Sequence, residues 1–202
     1  MAIRVNGELV SSRSVVTELT RLVQFYREHL PEEDLEENRE ILIRKAKDQA
    51  IGARLLLNEA LKAGIRVNEN EVAARRAVLV TEAGSEEAFR ELLDSQGMDE
   101  VWFQQSIVDS LMIDKLVKAL IDRVAPPTEA EVEAYRARLA GEGRSIAVQK
   151  ARDVLTHERR GRVISECVAL LRRKAVIEDD EDLEGPDIDA IFDSYLDDSE
   201  GE

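Results

Sequence analysis

The sequence predicts an all-α fold, with a small β-hairpin at its N-terminal end and a disordered acidic tail at its C-terminal end. Apolar residues make up 44% of the 202 residues but aromatic residues only 4%, and prolines and glycines are few. That composition favours helices packed through Leu, Ile, Val and Ala over a β-sandwich. Residues 178–202 contain thirteen of the 43 acidic residues and no Lys or Arg. The thirty acidic and 28 basic residues left in residues 1–177 make that part of the chain almost neutral.

The predicted elements follow turn and capping signals along residues 1–177. Asn6-Gly7 predicts the turn of a hairpin over residues 3–10. Capping boxes at Asn68 and Thr128, each with Glu three residues later, predict two helix starts, and Gly64 predicts a helix end. Apolar side chains at helical spacing complete the assignment. The seven predicted helices cover about residues 12–30, 38–63, 69–84, 86–96, 99–125, 129–141 and 145–175.

We predict one domain over residues 1–177. The last helix, about residues 145–175, has an apolar stripe and should pack back onto the N-terminal helices to complete a single core. The stripe consists of Val154, Leu155, Ile164, Val168 and Leu171.

The acidic tail contains a second pattern, which predicts a short amphipathic helix over residues 187–198. Its apolar residues recur at the spacing of one helix face, as in helices that dock in a groove. We expect this helix to compete with other proteins for a groove, and residues 178–184 to tether it towards the basic residues of 159–174. The alternative is a disordered tail that only adds solubility. The residues of this apolar face are Ile188, Ile191, Phe192, Tyr195 and Leu196.

The sequence contains no constellation typical of an enzyme, and we predict no catalytic, cofactor-binding or metal-binding residues. The two histidines, His29 and His157, are not in a metal-binding spacing, and no phosphate-binding glycine loop is present. Cys167 has no acid–base partner pattern and reads as a small core residue. Basic residues of the last helix alternate with Glu158 and Glu166, which argues against nucleic-acid binding. No apolar run reaches the roughly 18 residues of a membrane span, so we expect a cytoplasmic protein, or a periplasmic one if a leader was removed.

Six segments of the sequence are VNGELV (5–10), LLNEALKAGIRV (56–67), NENEV (68–72), FRELLDSQG (89–97), TEAEVEAY (128–135) and the last helix (148–177). Taken in order, they resemble the SurA-type N-terminal domain of bacterial chaperone–prolyl isomerases. In that family an isomerase domain of parvulin type normally lies between the last two of these segments, whereas here only residues 139–144 separate them. The resemblance therefore implies a helical chaperone domain from which the isomerase is missing.

The resemblance implies an ATP-independent holdase, that is, a chaperone that binds unfolded or partly folded proteins. Aromatic and Met side chains adapt to varied partners, so the large apolar residues of the body are candidate client contacts, with ordinary core packing as the alternative for each. A second function, suggested by the tail, is an adaptor or assembly factor that binds one specific protein. The sequence leaves open whether helices exchange between the protomers of a homodimer. The candidate client contacts are Phe25, Tyr26, Met98, Trp102, Phe103 and Met112.

Overall fold

The computed structural model describes residues 2–29, 35–95, 98–180 and 187–197, which form eight helices and three strands. The chain divides into two compact units. Unit 1 comprises residues 1–58 and 171–202, and unit 2 comprises residues 59–170. The helical fold with a small N-terminal sheet confirms the predicted class.

Unit 1 begins with the predicted hairpin, formed by strands β1 (Ala2–Val5) and β2 (Glu8–Val10). Asn6 and Gly7 have φ angles of 56° and 81°, the left-handed conformations that a tight two-residue hairpin turn requires. The hairpin therefore follows directly from its turn dipeptide.

A third strand, β3 (Ile177–Asp180), pairs antiparallel with the other edge of β1 and gives the order β2-β1-β3. Asn6 fastens the entry to β3, because its amide donates to the Val176 carbonyl (2.8 Å) and its side-chain oxygen accepts from the Val176 amide (2.9 Å). Arg4 lies opposite Glu178 in the register, a favourable pairing of opposite charges across strands. Residues 178–180, the first three of the predicted acidic tail, are therefore part of the sheet.

Helices α1 (Ser12–His29) and α2 (Arg39–Lys62) supply most of the unit 1 core. Val15, Leu19 and Val23 recur every fourth residue and form the buried face of α1. The buried apolar cluster of this unit contains Ile3, Val5, Val10, Val15, Leu19, Val23, Leu42, Ala46, Ala50, Ile51, Leu55, Ile188 and Phe192.

The tail forms helix α8 (Ile188–Asp197), as its apolar spacing predicted. Asp187 begins the helix, since its carboxylate accepts from the amides of Asp189 (3.1 Å) and Ala190 (3.2 Å). Burial of Ile188 and Phe192 in the unit 1 cluster shows that this part of the tail is folded rather than disordered. Residues 181–186 and 198–202 of the predicted tail lie outside the described residues.

Unit 2 is built from helices α3 (Glu69–Ala83), α4 (Glu86–Ser95), α5 (Glu100–Ile121), α6 (Glu129–Gly141) and most of α7 (Val148–Lys174). Both predicted capping boxes are present, at Asn68 with Glu71 and at Thr128 with Glu131. The buried residues Phe89, Leu93, Phe103 and Ile107 form a cluster where α4 and α5 pack with α3.

Helix α7 behaves differently along its length. Its C-terminal end returns to the N-terminal helices as predicted, because Leu171 and Ala175 pack against the unit 1 cluster. The rest of the predicted stripe is half-buried, and Ala151 is the one fully buried residue among those described in α7. None of the five stripe residues is fully exposed, although apolar spacing shows only which face a helix would bury and not how completely another element covers it. The bounds of the predicted domain, residues 1–177, stay a prediction.

Candidate functional site

The C-terminal end of α1 presents an aromatic group to solvent, which we call the α1 aromatic end and which consists of Phe25, Tyr26 and His29. The Phe25 ring is 50% exposed and stacks on the His29 ring at 4.4 Å with an interplanar angle of 14°. It also meets Tyr26 edge-on at 6.5 Å. Because the rings support each other, an exposed apolar face is held in place rather than left to rotate freely.

Tyr26 connects the α1 aromatic end to the core of unit 1. The ring is half-buried against the apolar cluster, and its hydroxyl accepts a hydrogen bond from the Lys45 ammonium at 3.1 Å. The same ammonium lies 5.4 Å from the ring centroid, within the range of a cation–π contact. Of the two predicted residues at this place, Phe25 is therefore available to a partner and Tyr26 positions it.

The other four candidate contacts lie in unit 2. Phe103 packs edge-on against Phe89 at 5.1 Å, and both rings are buried. Met112 is buried as well, so Phe103 and Met112 match the core-packing alternative. Met98 and Trp102 are half-buried, and Met98 packs against the Phe89 cluster.

The sequence analysis did not predict one exposed apolar residue of unit 2. Val101, beside Trp102 at the start of α5, is 80% exposed, the highest value among the exposed large apolar residues of the described chain. The sequence does not show whether this valine is exposed, because a valine in the first turn of a helix is equally common in a core. We call Val101, Met98 and Trp102, which lie close together in the sequence at the start of α5, the α5 entrance.

Arg76 joins three helices of unit 2 around the buried Phe89 ring. Its guanidinium lies 5.3 Å from the ring centroid and donates to both Glu86 carboxylate oxygens, at 3.0 and 2.5 Å. It also lies 3.5 Å from the carboxylate of Glu100 on α5. Hydrogen bonding to Arg76 lowers the pKa of Glu86, and the same bonds raise the pKa of Arg76. Both groups therefore remain charged, and the contact ties α3 to α4 and α5.

Arg39 has the corresponding place over α8 in unit 1. Its guanidinium lies 4.9 Å from the centroid of the fully buried Phe192 ring. It pairs with Glu36 at 3.0 Å, with Asp189 at 3.8 Å and, in a close contact, with Asp193. The hydrogen bond to Asp193 is the main cause of a raised pKa for Arg39, with Glu36 adding to it.

Two further contacts hold the C-terminal end of α8 on α1. The Tyr195 hydroxyl and the Thr20 hydroxyl lie 2.6 Å apart in a hydrogen bond, and the Arg27 guanidinium donates to the Tyr195 carbonyl. We call the surface under α8 the α8 seat: the unit 1 apolar cluster apart from Ile188 and Phe192, with Thr20, Arg27 and Arg39 at its rim. Ile191 and Tyr195 are half-buried there, while the Leu196 side chain lies outside the described residues. The sequence predicted the apolar residues of α8 but not Thr20, Arg27 or Arg39 at the rim. An arginine among other charged residues gives no indication of which distant residue it will contact.

Two of the basic residues that the sequence singled out on α7, Arg159 and Arg172, pair with acidic residues outside the tail. Within unit 2, Arg159 pairs closely with Glu131 and donates to the Ala125 carbonyl at 3.1 Å. Within unit 1, Arg172 lies 2.5 Å from Asp48. The predicted contact of residues 178–184 with residues 159–174 stays a prediction, because residues 181–184 lie outside the described residues.

The described residues contain little that suggests catalysis. Burial, and to a lesser degree Glu59, raise the pKa of the Cys167 thiol, which disfavours the reactive thiolate at neutral pH. In the part of the chain that the structure describes, no group of three or more His, Cys, Asp or Glu side chains could hold a metal ion. None of the described helices is long and apolar enough to cross a membrane.

Comparison with known protein families identifies the chain. The model of the SurA-like N-terminal domain matches residues 1–117. This match covers more than half of the sequence, so the chain belongs to the SurA-like N-terminal domain family. The matched residues run from β1 into α5 and include the α1 aromatic end and the α5 entrance. A comparison with curated proteins gave no match. The family is of chaperone type and non-catalytic, which gives this chain a chaperone-type or protein-binding role.

Proposed function

We propose that this protein is an ATP-independent holdase, which binds non-native polypeptides without nucleotide and has no prolyl isomerase activity. Family membership supports the chaperone class. The observation that carries the finer proposal is the α1 aromatic end, where an aromatic ring held by its neighbours is half exposed. Such a ring can bury apolar client area, at about 25 cal/mol per Å², without first being ordered.

The α5 entrance supplies a second apolar surface for clients, in the other unit. Val101 is almost fully exposed, and Trp102 and Met98 are half-buried beside it in the sequence. Met and aromatic side chains accommodate partners of varied shape. A chaperone with broad specificity needs surfaces of this kind, because its clients share exposed apolar residues rather than a motif.

The absence of isomerase activity rests on the connection between α6 and α7. Helix α6 ends at Gly141 and α7 begins at Val148, so six residues join them. The SurA-type resemblance places an isomerase domain of about a hundred residues at this point, and six residues cannot form one. A protease-coupled peptide assay should detect no acceleration of prolyl cis–trans exchange above buffer; clear acceleration would contradict this part of the proposal.

The holdase assay follows light scattering while a chemically unfolded test protein aggregates. The wild-type chain in stoichiometric amounts should suppress the scattering without ATP. Phe25→Ser should weaken suppression, whereas Val78→Ser removes an equally exposed residue (49% against 50%) outside both proposed surfaces and should leave it unchanged. Failure of the wild-type chain at severalfold excess, with several unrelated clients, would contradict the holdase proposal.

An adaptor that binds one specific protein is the second candidate, and α8 favours it. A short acidic helix held in a groove is a recognition mode used by dedicated partners. Crosslinking followed by pull-down separates the two functions, because a holdase captures many unfolded chains and an adaptor captures one partner at fixed stoichiometry.

A further inference from the structure

We propose that the α8 seat is a binding groove for acidic amphipathic helices of partner proteins, and that α8 is the ligand occupying it in the free protein. The partner helix would carry an aromatic anchor, an apolar residue four positions before it, and acidic residues on both sides of the anchor. This inference goes beyond the holdase proposal, since it concerns a different surface and a ligand class with defined chemistry.

The burial of α8 is that of a docked ligand helix. Phe192 is fully buried and Ile188 nearly so, while the two acidic residues that meet Arg39 remain 73% and 59% exposed on their side chains. The helix has ten residues, fewer than the roughly 12–15 at which isolated helices become even marginally stable in water. Its helical form therefore depends on the seat, as in peptides that fold when they bind.

The rim of the seat determines which helices fit. Asp189 and Asp193 are four residues apart, and Arg39 contacts both while it covers the Phe192 ring. Arg27 adds a second positive charge at the C-terminal end, where it caps the Tyr195 carbonyl. A helix with basic residues at the positions of Asp189 and Asp193 would face the Arg39 guanidinium and be repelled, so the groove selects for acidic ligands.

Strand β3 allows α8 to leave without undoing the rest of unit 1. Pairing with β1 holds the chain up to Asp180, and α8 begins at Ile188. A short connection of this kind gives α8 an effective concentration in about the millimolar range. An external helix of the same chemistry must compete with that concentration, which keeps the seat closed to weak ligands.

The test measures binding of a fluorescent peptide with the sequence of residues 187–197 to full-length variants, by anisotropy. In the Asp189→Lys/Asp193→Lys chain, the lysines repel Arg39 at two exposed positions and open no cavity, so α8 should leave the seat. We expect this chain to bind the peptide at least about tenfold more tightly than wild type, a difference of about 1.4 kcal/mol. Adding Arg39→Glu to the same chain makes the rim negative. The lysines of α8 should then pair with Glu at position 39 and return the helix to the seat, whereas the acidic peptide should be repelled and no longer bind.

Hydrogen exchange of residues 188–197 in the same variants shows whether α8 occupies the seat. This measurement does not depend on the peptide. Protection should be lost in the double-lysine chain and regained with Arg39→Glu. Ser194→Ala, at an exposed position of α8, is the matched control and should behave as wild type in both measurements. A peptide with Phe replaced by Ala should not bind, which distinguishes the groove from general attraction of acidic peptides.

Three outcomes would overturn the proposal. The first is equal peptide affinity for the wild-type and double-lysine chains. The second is equal affinity for the Phe and Ala peptides, and the third is a wild-type dimer in which the seat holds the α8 of a second copy. Because no unfolded client is used, these outcomes are separate from failure of the holdase assay.

Discussion

The two units use the same contact to fasten a helix, but at very different sequence separations. In unit 2, Arg76 covers the Phe89 ring and binds Glu86, ten residues away. In unit 1, Arg39 covers the Phe192 ring and binds Asp193, 154 residues away. Each combines a cation–π contact with a charge-assisted hydrogen bond, and each encloses a buried phenylalanine.

The difference in separation gives the two contacts different roles. In a flexible chain, a loop of 154 residues costs about 2.4 kcal/mol more to close than a loop of ten. The contact in unit 2 can thus form locally, whereas the contact in unit 1 closes a long loop whose distal end the pairing of β3 with β1 also holds. The same chemistry therefore holds a permanent part of the fold in unit 2 and a separable helix in unit 1.

The largest expected effect is that of Phe89→Ala in unit 2. The ring is 3% exposed and packs against Phe103, so truncation leaves a cavity and should lower the free energy of unfolding by about 3–5 kcal/mol. Chemical denaturation would measure the loss. Val101→Ala, at an 80% exposed position of unit 2, should change stability by less than about 0.5 kcal/mol. Similar losses for both variants would mean that Phe89 is not a core residue.

Phe192→Ala tests the comparison directly and should cost less. Although the ring is fully buried, α8 can leave its seat instead of enclosing a cavity, so the loss should stay below the roughly 3 kcal/mol expected for a fixed core phenylalanine. Hydrogen exchange should show lost protection in residues 188–197 and retained protection in α1. A cooperative loss throughout unit 1 would show instead that α8 is as integral as α4.

The smallest expected effect is a loss of unit 2 stability in acid. Hydrogen bonding to Arg76 lowers the pKa of Glu86 from its ordinary value of 4.5, so this carboxylate stabilises the fold above the unfolded pKa. That contribution disappears as the pH falls below 4.5 and through the lower folded pKa. Lys115 and Thr128 lower the pKa of Glu71 and Glu131 in the same way, which places two further acid-sensitive contacts in unit 2.

Thermal unfolding of Glu86→Gln between about pH 5 and pH 3 measures this effect. The variant should lose less stability on acidification than wild type. Glutamine does not titrate, so the protonation of residue 86 no longer breaks the contact with Arg76. Glu87→Gln makes the same charge change at the neighbouring exposed position and should retain the wild-type slope. Equal slopes for wild type and Glu86→Gln would show that the Arg76 contact contributes nothing in solution.

Local signals in the sequence determined the elements of this protein. The Asn6-Gly7 turn, the capping boxes at Asn68 and Thr128 and the Gly64 helix end act within a few residues, so their geometry is independent of the rest of the chain. The spacing of Ile188 and Phe192 likewise predicted α8. Each of these features satisfies backbone groups or aligns one face, which sequence order alone specifies.

The tertiary structure alone decided which of these elements meet. Pairing of β3 with β1, the place of Arg39 over Phe192, and the burial of Phe103 and Met112 depend on residues far apart in sequence. Their side chains look the same in a sequence whether they face a core, a partner or water. The physical reason is that burial and pairing are properties of the surroundings of a residue, and those surroundings exist only once the chain has folded.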